Sequence, residues 1–132
     1  MYQDTSVVIM ATGMVFALAL EIGGVVLVTW LTWRAAKRTL GRNDLAGVRT
    51  RVTMSSDEAW RTGHRGALRP TLVSAAITVL WCAACIITPA LHTPVTVVVA
   101  SVFLVGGALL SIPAAHRAVR RAALLDRTGH ED

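Results

Sequence analysis

The stretch Val7–Trp33, VVIMATGMVFALALEIGGVVLVTWLTW, carries one charged residue, Glu21, in an otherwise apolar run. About 20 helical residues cross a hydrocarbon core of about 30 Å, so this run reads as a membrane span. It is too long for the apolar region of a signal peptide, and no basic segment precedes it, so it is expected to persist as a span. Working outward, residues 71–91 and 95–113 are two further apolar runs without a single charge. The whole chain of 132 residues is 54% hydrophobic and 16% charged, against about 25% charged for an ordinary soluble domain. Its net charge of +5 would permit nucleic-acid binding, but the blocks of apolar residues point to lipid instead, and no nucleic-acid partner is expected. The expected fold is an all-α integral membrane protein forming one domain. Its segments are span 1 at about 7–33, a loop at 34–69, span 2 at about 70–91, span 3 at about 95–113 and a tail at 114–132.

Charge orients these spans. Nine of the thirteen cationic residues, Arg34, Lys37, Arg38, Arg42, Arg49, Arg51, Arg61, Arg65 and Arg69, lie in the 34–69 loop. The other four, Arg117, Arg120, Arg121 and Arg127, follow span 3, and the 88–94 connector has none. Lys and Arg accumulate in cytoplasmic loops. The expected location is therefore a bacterial cytoplasmic membrane, with the N-terminus outside and the loop and C-terminus inside. Trp30 and Trp33 fit the inner headgroup level. Pro70 suits the first turn of span 2, and Pro89 and Pro94 bracket the outer turn.

Within the loop, Arg34–Leu40 is expected to continue helix 1, and Gly41-Arg42-Asn43-Asp44 to stop it in a turn. The 48–54 segment alternates weakly and reads as extended. Ser55 and Glu58 have capping-box spacing, so a short interfacial helix is expected over about 56–67. Trp60 and His64, four apart, share its face, with the indole expected to dip into the headgroup layer and Arg61, Arg65 and Arg69 to meet phosphates. Ala114–Leu125 alternates Arg117, Arg120 and Arg121 with Val119, Ala122 and Leu124, a basic amphipathic tail helix suited to anionic lipids. Residues 128–132 read as disordered.

The order Asn43, Gly47, Arg49, Thr50, then Ser56, Glu58, Trp60, His64 and Arg65, just before a span, resembles the SdpI family of bacterial membrane proteins. That family's signature is an Asn…Gly-x-Arg-Thr stretch followed by a Ser-x-Glu-x-Trp-x-x-x-(His or Asn)-Arg helix; Arg51 and Val52 stand where a Pro often follows Arg-Thr. The founding member protects cells against a secreted peptide toxin and relays its presence to a cytoplasmic repressor. The resemblance thus implies immunity to, or sensing of, an envelope-active toxin, with a cytoplasmic regulator or a membrane partner. Independently of the family, Gly47 suits a tight turn. Arg49 suits bidentate contact with a carboxylate or a lipid phosphate, and Asp57 and Glu58 favour a helix N-terminus.

Glu21 is the one ionisable residue deep in a span, and such residues mark functional sites by default. Gly13, Ala17, Glu21 and Gly24 form a small-residue face, so Glu21 is expected to point at another helix, as a neutral carboxyl, with Trp81 and Thr78 as donors at matching depth. A lone membrane Glu in a first span also resembles the small multidrug resistance family. That gives a second reading, a proton-coupled exporter using Glu21, although those transporters have four spans and short loops. A third reading is a stabilising subunit of a larger membrane complex. Trp81-Cys82-Ala83-Ala84-Cys85 imitates a redox motif, but mid-span thiols act as small hydrophobes. Gly106, Gly107 and Ser111 form a second small-residue face, expected to pack inside the bundle, with homo-oligomer contact as its alternative. No catalytic constellation, metal cluster or cofactor motif is found, and an enzyme is not expected.

Overall fold

The computed structural model describes residues 2–43 and 45–128, with side chains from Thr5 onward. Asp44 of the expected turn and the 129–132 part of the tail lie outside the described residues. Three long helices follow one another: α1 (Tyr2–Ala36), α2 (Asp57–Ile87) and α3 (Pro94–Thr128), with a 3₁₀ turn, Pro89–Leu91, between the last two. All three are long and apolar enough to cross a membrane, and the chain is an all-helical membrane protein. Their apolar side chains face outward as readily as inward: Val8, Phe16 and Leu20 are each more than 60% exposed. Only lipid makes that arrangement favourable, since in water each would forfeit its burial energy.

The short connector forces α2 and α3 into an antiparallel hairpin. Close approach along it depends on small residues. Gly107 lies against Ser74, whose hydroxyl donates to Phe103 O at 2.6 Å, and Gly66 lies against Ala114 and Ala118. One of the expected small-residue faces therefore serves the bundle itself. Trp81 meets Phe103 edge-on at 6.1 Å and donates its indole N–H to Thr96 O at 3.1 Å. The third helix, α1, packs mainly on α2 and touches α3 sparingly. Leu18, Cys82, Cys85 and Ala100 form the buried core of the apolar half, and both cysteines are free and enclosed there.

Two expectations are corrected. The helices foreseen at 56–67 and 114–125 do form, but as continuations of α2 and α3 through Pro70 and Pro113. An interior proline removes one i→i−4 bond and costs ~3 kcal/mol in an isolated helix. Here the α2–α3 contacts lie on both sides of Pro70, at Gly66 and at Ser74, and hold the helix in register across it. On α1, the buried line is Leu18, Val25 and Thr32 rather than the Gly13–Gly24 face, and both of those glycines have open space beside them. The nearly uniform apolarity of α1 encodes no preferred face, so its partners choose one.

At one end of the bundle the helices leave the apolar slab. The first 13 residues of α2 hold Asp57, Glu58, Arg61, Arg65 and Arg69, and α3 beyond Pro113 holds Arg117, Arg120 and Arg121. At ~1.5 Å per residue these extensions rise ~20 Å beyond the apolar region. The 37–56 loop wraps around them.

Candidate functional site

The loop begins with a helix stop at Arg38, which takes φ +66°, and not at Gly41. A left-handed residue is the usual way to end a helix, normally filled by Gly, because a Cβ there costs ~1–2 kcal/mol. Several bonds hold it. Thr39 N–H and Leu40 N–H donate to Arg34 O at 3.1 and 3.2 Å, and Arg34 donates back to Thr39 O at 3.2 Å. From α2, Arg65 Nε donates to Ala36 O at 3.3 Å, a cation placed on the C-terminal carbonyls of α1. Just before the stop, Arg34 stacks over Trp30 at 4.9 Å and Lys37 over Trp33 at 4.4 Å.

Asn43 then shapes the turn. Its Oδ1 accepts from Leu45 N–H and Ala46 N–H, each at 2.9 Å, and its Nδ2 donates to Gly41 O at 2.8 Å. Gly47 follows at φ +102°, and a Cβ built on it would overlap His64 Nε2 and meet Trp60 Cη2 at 3.0 Å. Only glycine satisfies both conditions.

His64 and Trp60 anchor the loop to α2. The His64 ring is fully buried; Nδ1 lies 2.7 Å from Trp60 O, and Nε2 lies 2.9 Å from Val48 N. A carbonyl only accepts and an amide N–H only donates, so Nδ1 carries the proton and Nε2 is the acceptor. The ring is thus neutral when the loop is seated, and burial pushes its pKa below the usual 6.5. The Trp60 ring lies 4.1 Å from that of His64, is 2% exposed, and donates Nε1–H to Leu40 O at 3.1 Å. This overturns the expected headgroup insertion: the indole is buried within the protein, because the wrapped loop supplies both its cover and its acceptor.

Residues 48–50 have no regular secondary structure, and 51–54, read from sequence as part of an extended segment, is a turn closed by Met54 N–H on Thr50 O at 2.9 Å. Thr53, fully buried, accepts from Thr50 N–H at 3.0 Å and donates to Val48 O. Sequence reasoning missed this residue, since a loop threonine carries no signal of burial. It also missed His116 on α3, whose Nε2 lies 2.8 Å from Thr50 Oγ1. At the start of α2 the N-cap is Ser56, accepting from Ala59 N–H at 3.0 Å, rather than Ser55, which donates to Val52 O. The helix starts one residue later than the capping-box spacing suggests. Glu58 therefore turns to Arg61, Thr62 and Arg38, the last at 3.8 Å. Asp57 pairs with Arg42 at 3.3 Å.

The foreseen loop residues thus meet in one platform or its rim, with Arg49 exposed at the surface beside Thr50. Beneath the platform is a cavity of about 310 Å³ that reaches into all three helices, between Thr32, Thr71 and Ser111 at the loop end and Val25 and Leu104 deeper.

The intramembrane trio does not assemble as foreseen. Glu21 accepts a hydrogen bond from Ser101 on α3. Trp81 spends its N–H on Thr96 O, and Thr78 Oγ1 is buried without a partner among the described residues. The rotation of each helix about its axis was not readable from sequence.

The SdpI/YfhL protein family profile matches residues 39–117, more than half of the chain. The chain belongs to the SdpI/YfhL family. No curated protein and no solved structure matches it. The family segment of this SdpI/YfhL member begins where α1 has just ended and includes every platform residue from Asn43 to Arg65, together with His116. Glu21 lies outside it.

Proposed function

We propose that this SdpI/YfhL-family membrane protein confers immunity to, or senses, an envelope-active peptide toxin, by binding and relay rather than by catalysis. The observation that carries the reading is the attachment of the loop to every helix: Leu40 to Arg34 on α1, Val48 to His64 on α2, and Thr50 to His116 on α3. A toxin engaging the membrane-embedded helices shifts their tilt, and each helix end is hydrogen-bonded to the same short loop. In this reading the loop end faces the bacterial cytoplasm, in keeping with its cations, and presents a basic face to a regulator or to a membrane partner. The arginines of α3 beyond Pro113 meet anionic lipids.

The test is survival of a toxin-sensitive host. Expression should raise it, and Arg49→Ala should reduce the gain, as should Thr50→Val, which cuts the link to His116 without emptying the core. Unchanged survival across a panel of envelope-active peptides would remove the support for immunity, and loss of a copurifying regulator would do so for sensing.

Glu21 keeps a second reading open. Its Oε1 is bonded to Ser101, while Oε2 is buried with no hydrogen-bond partner among the described residues. A carboxyl so placed suits proton exchange, and drug-dependent proton release that is absent in Glu21→Gln would favour an exporter.

A further inference from the structure

The cavity under the platform has a polar end, an apolar end and a side opening. The loop, through Gly47, Val48, Arg49 and Thr50, forms its roof. Thr32, Thr71 and Ser111 stand just below, and Val25, Val28 and Leu104 line the part nearer the bilayer centre. Because α2 packs on both neighbours while α1 touches α3 sparingly, the α1–α3 side is the least closed. The exposed lining residues mark its rim: Val28 on α1 is 41% exposed, Ile112 on α3 is 36% exposed, and Ala108 and Arg49 are exposed as well. A mouth between these residues opens sideways, toward the bilayer, with Arg49 at its polar edge.

The wall chemistry narrows the ligand. Thr32 donates to Val28 O at 2.8 Å, Thr71 to Ala67 O at 2.9 Å and Ser111 to Ala108 O at 2.6 Å. Their protons are committed to helix carbonyls, so these oxygens remain as acceptors for a ligand's hydroxyl groups. Arg49 suits a phosphate. The apolar lower wall disfavours a hydrated free anion and suits an acyl chain. A volume of about 310 Å³ lies at the small end of ligand pockets, ~300–1,000 Å³, and fits part of one lipid rather than a folded peptide.

We propose that this cavity binds one anionic phospholipid with a hydroxyl-bearing head, entering between α1 and α3, with its phosphate at Arg49 and one chain along Val25, Val28 and Leu104. The site is separate from the basic face of α3, where lipid attraction is diffuse, and it does not depend on the toxin reading. A seated lipid would fix the loop roof from below, in addition to the bonds from His64 and His116.

The test uses full-length protein, stripped of lipid in a neutral detergent and titrated with phosphatidylglycerol or phosphatidylcholine. Native mass spectrometry should find one phosphatidylglycerol per chain held at least tenfold more tightly than phosphatidylcholine, and thermal unfolding should shift upward only with the former. Arg49→Gln and the rim-filling Ala108→Phe should each lose that preference by tenfold or more, while their helical content in detergent is unchanged. The combined Arg117→Gln, Arg120→Gln and Arg121→Gln variant should keep the tight site. Equal retention of both lipids, or loss only in that triple variant, would overturn the proposal. Displacement of the lipid by millimolar inorganic phosphate would also overturn it, by assigning the site to a free anion.

Discussion

The backbone N–H of Val48 donates to Nε2 of His64 across sixteen residues of chain, at 2.9 Å, and Gly47 sits so close to the same ring that no Cβ fits between them. This contact joins the two halves of the family motif. The glycine-containing stretch supplies an amide and no side chain, and the helix supplies an acceptor fixed in one tautomer by Trp60 O.

Gly47→Ala should therefore be among the most damaging single changes in the loop. A left-handed φ costs a non-glycine residue ~1–3 kcal/mol, and overlap with His64 adds to it. Thermal unfolding in detergent should fall, and limited proteolysis should cut within 37–56 well before wild type is cut. Wild-type resistance in this variant would show that the loop is not seated on His64.

The His64 latch should weaken in acid. Its folded pKa lies below 6.5 because burial disfavours the cation. Below that value the unfolded chain binds the proton before the folded one does, so stability is lost as the pH drops, by at most about 1.4 kcal/mol per pH unit for one group. Above 6.5 the ring is neutral in both states and the full contribution is present. Stability measured from pH 8 to pH 5 should decline in wild type, and His64→Asn should lose that part of the slope.

Trp60→Phe isolates one hydrogen bond. The ring volume is largely kept, but Leu40 O loses the indole donor. Leaving a partly buried carbonyl unpaired costs about 1–3 kcal/mol. Hydrogen exchange should quicken over 37–41 while the apolar half of the bundle is unaffected.

In the membrane, Ser101→Ala removes the hydroxyl that Glu21 accepts from. Interhelical hydrogen bonds in bilayers contribute about 0.6 kcal/mol on average and up to ~1.7. A loss in that range, together with near-additivity of Ser101→Ala on a Glu21→Leu background, would be inconsistent with coupling between the two residues; coupled behaviour in a double-mutant cycle is expected instead.

Of the platform, the sequence showed the ingredients but not their closure. The spacing of Trp60 and His64 placed both on one face of α2, as found. Nothing in the chain announced that the loop would fold back over that face and turn an expected lipid anchor into a buried core residue. Thr53 and His116 were invisible for the same reason: each acquires its role from a partner distant in sequence.

The amino-acid order alone determined three long apolar helices and the cation-rich segments beside them, because hydrophobic length and charge are local sums that lipid reads directly. It also determined the family, through a motif of fixed residue types and spacings. Tertiary structure alone decided which side of α1 packs, that α2 and α3 run unbroken through Pro70 and Pro113, that Glu21 meets Ser101, and that a cavity lies under the loop. In lipid an apolar helix gains little from burying one face over another, so rotation about each axis is settled by a few close-packed glycines and scattered hydrogen bonds between distant residues.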